Sequence, residues 1–286
     1  MCLVLAAWRA HPRYRLIVAA NRDEFYTRPT APMRWWPERP GLLAGRDLGA
    51  PGGVPGTWLG LVPESGRFAT VTNVRGPQEP RTDARSRGAL LMDYLTGSDT
   101  PEDFTRATAA APDVYNGYNL LVADSESLWW NSNRGSGTPM RLPSGLHGLS
   151  NAALLGSVAR PGPATVHTDT GAPAWPKVRT GLTALAEVID STPVTGRPPM
   201  RALFEVLADQ RPAPDAELPA TGLTVDRERA FSARFVAHTE HGTRCSTVLC
   251  VDQDGEFVIT ERSFARLGRP LGEVSFTGRL RWDRAR

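Results

Sequence analysis

Cys2 stands directly behind the initiator methionine, and the apolar run "YRLIVAAN" that soon follows ends in Asn21-Arg22-Asp23-Glu24. A thiol attacks as its thiolate. It needs a base, a group that lowers its pKa, and hydrogen-bond donors for a developing oxyanion. Each has a candidate in the sequence. With Met1 removed, Cys2 carries its own base, an α-amine whose reference pKa of about 7.7–8.0 leaves a useful neutral fraction. Arg22 would favour the thiolate electrostatically, and Asp23 would orient the amine. Asn73 in "TVTNVR" and Asn151 in "GLSNA" each follow an apolar run and offer side-chain N–H groups. Plainer readings compete with these roles. Cys2 could be a small buried hydrophobe, "NRDE" a helix start with Asn21 as cap, and the two later asparagines turn residues.

These residues need elements to position them. "CLVLAAW" (2–8) and "YRLIVAAN" (14–21) read as strands buried on both faces, with Pro12 marking the break between them. Residues 29–56, rich in Pro and Gly, read as a long loop. "TWLGLV" (57–62) and "RFATVTNV" (67–74) form a hairpin around "PESG". Residues 82–97 have helical spacing with Thr82 as N-cap, and a second short helix begins near Thr100 and Pro101. "GYNLLVAD" (117–124) and "SLWWNSN" (127–133) form another hairpin, and "GLHGLSN" (145–151) leads into a loop to about residue 172. Residues 174–190 and 199–209 are amphipathic helices, followed by a polar stretch to about residue 240. Residues 243–264 are a hairpin turning at "DQDG", and 272–278 a last strand. Strands in hairpins with helices grouped between them give an α+β class with mostly antiparallel sheet. Nothing splits the 286 residues, which read as a single domain over 1–286.

Composition narrows the function. Hydrophobic residues make up 41% and charged residues 22%, as in an ordinary globular protein. No apolar run reaches the roughly 18 residues of a membrane span, and no basic block points to nucleic acid. Lys177 is the only lysine among 33 basic residues, a bias that suggests a bacterial genome of high GC content. The cysteines Cys2, Cys245 and Cys250 fit neither a disulfide framework nor a zinc site, which suggests a reducing, cytoplasmic setting. Cys245 and Cys250, an odd number apart, belong on opposite faces of one strand. His238 and His241 read as a solvated loop pair.

"MC" followed by "LIVAANRDEFYTRP" resembles the NRDE family, which includes the transport and Golgi organisation protein 2 homologues. The resemblance continues through "GTWLGL", "TNVR", "SRG", "YNGYNLLVAD", "NRG", "GLSNA" and "TERSF", to about residue 265. The family in turn resembles N-terminal-nucleophile hydrolases of the choloylglycine hydrolase and penicillin acylase group. That implies a four-layer αββα sandwich with Cys2 at the end of a central strand. It also implies that Arg22 and Asp23 stand where those hydrolases carry an Arg and an Asp, at a different spacing. Asn73 and Asn151 match their two asparagines, and Arg244 in "HGTRCST" stands for their later active-site Arg.

Two functions follow as expectations. The first is a cysteine amidohydrolase or acyltransferase acting on a small-molecule amide through an acyl-thioester on Cys2, with no cofactor required. The second is a non-catalytic haem or lipid carrier on the same fold, since the family is connected with haem movement and lipid homeostasis and a thiolate can ligate haem iron.

Overall fold

The two N-terminal apolar runs lie at the centre of an antiparallel sheet in the computed structural model of the protein, which describes residues 2–50, 55–74, 81–134, 137–152, 154–158, 166–168 and 175–282. The strands are β1 (Cys2–Trp8), β2 (Tyr14–Phe25), β3 (Thr30–Trp35), β4 (Leu43–Asp47), β5 (Leu59–Val62), β6 (Arg67–Asn73), β7 (Tyr118–Ala123), β8 (Leu128–Ser132), β9 (Met140–Arg141), β10 (Gly145–Leu149), β11 (Leu155–Val158), β12 (Val166–Thr168), β13 (His241–Asp252), β14 (Glu256–Phe264) and β15 (Pro270–Arg279). The helices are α1 (Arg87–Thr96), α2 (Pro101–Ala109), α3 (Pro176–Ser191), α4 (Met200–Leu207) and α5 (Val225–Phe231). One sheet has eight strands in the order β12-β11-β10-β1-β2-β13-β14-β15, and the other seven in the order β3 to β9. The class is α+β, as expected.

Strand periodicity sorts the side chains. Val4, Ala6 and Trp8 of β1 and Leu16, Val18 and Ala20 of β2 join Leu59, Leu61, Phe68 and Trp130 of the other sheet in one core. Their alternates Leu3, Leu5, Ala7, Ile17 and Ala19 pack against α3 and α4. Ala69, Val71, Leu120 and Val122 on the second sheet pack against Leu90, Leu91 and Tyr94 of α1 and Phe104 of α2. Each central strand is apolar on both faces because each face has a partner layer. Cys245 falls in the core between the sheets and Cys250 in the core under the helices, the opposite faces expected of them.

Several elements differ from the sequence reading. Strand β2 runs on to Phe25, so "NRDE" is not a helix start; Asn21 and Arg22 are paired on both sides, with β1 and β13, and Asp23 and Glu24 with β13. The expected loop 29–56 contains β3 and β4. Pro32 is tolerated there because β3 is an edge strand, and a register shift between Ala31 and Arg34 hides its alternation. The expected loop after residue 151 contains β11 and β12. Helix α1 starts at Arg87, where the Ser86 side chain accepts from the Gly88 N–H, and not at Thr82. Helix α2 begins as expected, with Thr100 as cap and Pro101 in its first turn. The polar stretch before residue 240 holds α5, and His241 is buried between the rings of Phe25 and Phe231 rather than solvated.

Candidate active site

Pairing fixes the site before any side chain is considered. The register of β1 and β2 sets Cys2 opposite Arg22, and that of β2 and β13 sets Cys245 opposite Arg22 on the other side. Alternation then turns Arg22 toward the space between the sheets and Asn21 and Asp23 toward the helices. Contacts agree with that division. Asn21 Nδ2 donates to the carbonyls of Leu207 at 2.9 Å and Arg234 at 2.7 Å, holding the end of α4 against the sheet. Its role is architectural.

Asp23 is buried at 2% exposure. It accepts from Thr243 Oγ1 at 2.7 Å, and its Oδ2 lies 3.7 Å from Lys177 Nζ. That is an ion-pair distance, too long for a hydrogen bond. Burial raises the Asp23 pKa, and the Lys177 charge opposes that rise without reversing it. Lys177 sits in the first turn of α3 at 1% exposure. Sequence reasoning missed it as a site residue. The available signal was its uniqueness, a lysine kept where every other basic residue is arginine.

Arg22 is 6% exposed. Its Nη2 donates to Asp47 Oδ2 at 3.1 Å, with Glu24 Oε2 at 3.9 Å, while its Nη1 is buried without a hydrogen-bond partner. The expected depression of the Cys2 thiol pKa does not appear. Burial raises it, the Asp23 carboxylate adds to the rise, and Arg22 and the Asp23 backbone N–H only oppose it. The physical reason is that Arg22 shares its charge with Asp47 and Glu24. Arg87, the first residue of α1, is a further cation close to Cys2 and Glu24 that went unnoticed inside "SRG".

Asn151 ties residue 2 to the end of β6. Asn151 is 1% exposed; its Oδ1 accepts from the Cys2 backbone N at 3.2 Å, and its Nδ2 donates to the Asn73 carbonyl at 2.8 Å. Ser150 Oγ donates to the Cys2 carbonyl at 2.8 Å. The Ser150 carbonyl accepts from Asn119 Nδ2 at 3.2 Å, so the second sheet braces this corner. Asn151 therefore has one N–H already committed and acts first as a clamp on Cys2. The side chain of Asn73, half-buried at the end of β6, has no hydrogen-bond partner among the described residues. Ser150 and Asn119 were not singled out from sequence, because polar residues at strand ends are common.

Arg244 is the extra residue of a bulge in β13, between Thr243 opposite Asp23 and Cys245 opposite Arg22. Such bulges re-aim side chains beside sites. Its guanidinium donates to the carbonyls of Phe25 at 2.9 Å and Arg28 at 2.8 Å and to Thr30 Oγ1 at 3.0 Å, tying β2 to β3. The structure thus brings Cys2, Arg22, Asp23 and Asn151 together, with the Asn73 backbone carbonyl on Asn151 and Arg244 beyond Arg22. The fate of Met1 lies outside the described residues.

The chain belongs to the Transport and Golgi organisation 2 family, whose model matches residues 1–266. It is 33% identical to the Transport and Golgi organization protein 2 homolog of Bos taurus, over 92% of this chain and 93% of that protein. It is 31% identical to the homolog of Homo sapiens over the same shares. These relatives are eukaryotic and lend no support to the bacterial origin read from arginine content. Among the described residues no helix is long and apolar enough to cross a membrane.

Proposed function

We propose that the protein is a cysteine N-terminal-nucleophile amidohydrolase or acyltransferase acting on a small-molecule amide in the cytoplasm, on the four-layer αββα sandwich of that class. The observation that carries this reading is the Asn151 clamp: Asn151 Oδ1 holds the nitrogen of residue 2 at 3.2 Å while its Nδ2 donates to the Asn73 carbonyl at 2.8 Å. Once Met1 is removed, that nitrogen is an amine positioned beside its own thiol. The amine takes the thiol proton as sulfur attacks the amide carbonyl. The carbonyl oxygen, now negative, takes N–H donors from Asn73. The C–N bond breaks, the leaving amine receives the proton, and water or another acceptor releases the acyl group from the thioester. Burial raises the thiol pKa; the N-terminal ammonium and Arg22 lower it, in the direction the attack requires.

The test uses processed protein and a panel of activated amides and esters. An acyl adduct on Cys2, seen by intact mass and absent in Cys2→Ala, is the expected result. No adduct across the panel, with tight binding of haem or of a lipid, would establish the carrier instead.

A further inference from the structure

A cavity of about 200 Å³ opens between the sheets on the far side of Arg22 from Cys2. Its walls combine two chemistries. Trp58, Phe264 and Val274 supply apolar surface, and Arg22, Arg46 and Arg244 supply guanidinium groups. Among the described residues, each of the three arginines keeps one buried N–H without a hydrogen-bond partner: Nη1 of Arg22, Nε of Arg46 and Nε of Arg244. Buried polar groups are ordinarily satisfied, so three such donors in the walls leave the guanidinium charge there poorly compensated.

The charges decide the ligand. Arg22 is paired with Asp47, and Arg46 with Glu38. Arg244 has only neutral acceptors: two carbonyls and the Thr30 hydroxyl. Of the acids at the cavity, Glu273 is engaged by Arg262 at 2.7 Å. Glu261, on the floor, accepts the Met33 N–H at 2.7 Å, and its burial holds the carboxyl above its ordinary pKa, toward the neutral form. Arg244 is thus the guanidinium at the cavity with no carboxylate partner among the described residues.

We infer that this cavity binds an organic monocarboxylate, its carboxylate facing the Arg244 guanidinium and its hydrocarbon lying against Trp58, Phe264 and Val274. A dianionic phosphate would outnumber the available charge and leave the apolar wall unused. Arg22 connects the cavity to the thiol, since Cys2 and Cys245 are its partners on adjacent strands. Strands are spaced about 4.7–4.9 Å apart, so a carboxylate in the cavity lies within the reach of one small molecule from Cys2. Combined with the proposed thiol chemistry, on which this step rests, the cavity assigns amides or esters that carry a carboxylate as the substrate class.

The test is equilibrium binding to the full chain carrying Cys2→Ala, in which no acyl transfer can occur. The probes are 4-phenylbutyrate, the neutral 4-phenylbutan-1-ol and inorganic phosphate, each titrated at low salt by calorimetry and by thermal shift. The expected result is that phenylbutyrate binds and raises Tm with concentration, at least tenfold more tightly than either comparison probe. Arg244→Gln should weaken phenylbutyrate at least tenfold. Gly272 lines the cavity, and a side chain there would meet nothing within 4 Å. Gly272→Phe should therefore fill the space and abolish binding while Tm without ligand stays unchanged. Equal binding of the alcohol, stronger binding of phosphate, or full binding by Gly272→Phe would each overturn the inference. The acylation panel is read separately, so a neutral ester that acylates Cys2 while phenylbutyrate fails to bind removes the cavity assignment alone.

Discussion

Lys177 Nζ lies 3.7 Å from Asp23 Oδ2, with the two side chains at 1% and 0% exposure. The pair joins the end of β2 to the first turn of α3, behind the strand position that faces Cys2. Neither charge is open to water, and Asp23 also accepts from Thr243 Oγ1 at 2.7 Å.

Losing one partner should therefore be severe. Breaking a buried pair from one side typically costs about 3–5 kcal/mol, because the remaining charge is stranded. Lys177→Met should lose stability in that range by urea unfolding. The double variant with Asp23→Asn should lose far less than the two single losses added together. A Lys177→Met protein within about 1 kcal/mol of wild type would mean that the pair contributes no more than a surface ion pair.

Cys2 should be a slow thiol while Met1 is retained. Burial is the leading cause of its raised pKa, and Arg22 is too occupied with acids to reverse it. Alkylation by iodoacetamide should reach half its maximal rate above the roughly 8.5 of a free thiol. In processed protein the adjacent ammonium should move that midpoint downward. A midpoint below the free-thiol value in the Met1-retained form would contradict the burial argument.

The pattern of success in reading the sequence has physical causes. Strands β1, β2 and β13 were legible because both faces are buried and their apolar runs are nearly unbroken. Strands β3 and β4 were not, because an edge strand with Pro32 and a register shift carries no clean alternation. Cys2, Arg22, Asp23, Asn73 and Asn151 were found because local motifs announce them. Lys177 and Asp47 were missed because their meaning lies in partners 154 and 25 residues away, Lys177 facing Asp23 and Asp47 facing Arg22. The side assigned to each "NRDE" residue also needed the strand to continue through it, which the polar residues concealed.

Glu261 should make stability depend on pH. Its folded pKa is raised by burial, with the Met33 N–H only opposing that shift. A raised folded pKa means the folded state holds the proton more firmly than the unfolded chain. The contribution is then fully present below the unfolded value of about 4.3, and it is lost as pH rises through the folded value. Glu261→Gln mimics the protonated side chain and keeps an acceptor for Met33. Relative to wild type, the variant should gain stability between pH 4 and pH 8 in urea titrations. A constant difference between the two proteins across that range would show that Glu261 titrates alike in both states.

The two asparagines should separate into a clamp and a catalytic donor. Asn151 spends Oδ1 on the Cys2 N–H and Nδ2 on the Asn73 carbonyl, whereas the Asn73 side chain is uncommitted among the described residues. Asn151→Ala leaves two backbone groups without their partner, at about 1–3 kcal/mol for each buried group. Its Tm should fall, and acylation should fall because the attacking residue is no longer held. Asn73→Ala removes a donor needed only when charge develops on the carbonyl oxygen. Single-turnover acylation should drop by about 10²–10³-fold, with Tm and ground-state binding unchanged. Single-turnover rates, melting curves and binding isotherms on the two variants decide it. If Asn73→Ala lowers Tm and its rate loss only tracks the unfolded fraction, Asn73 is a turn residue and the oxyanion role is gone.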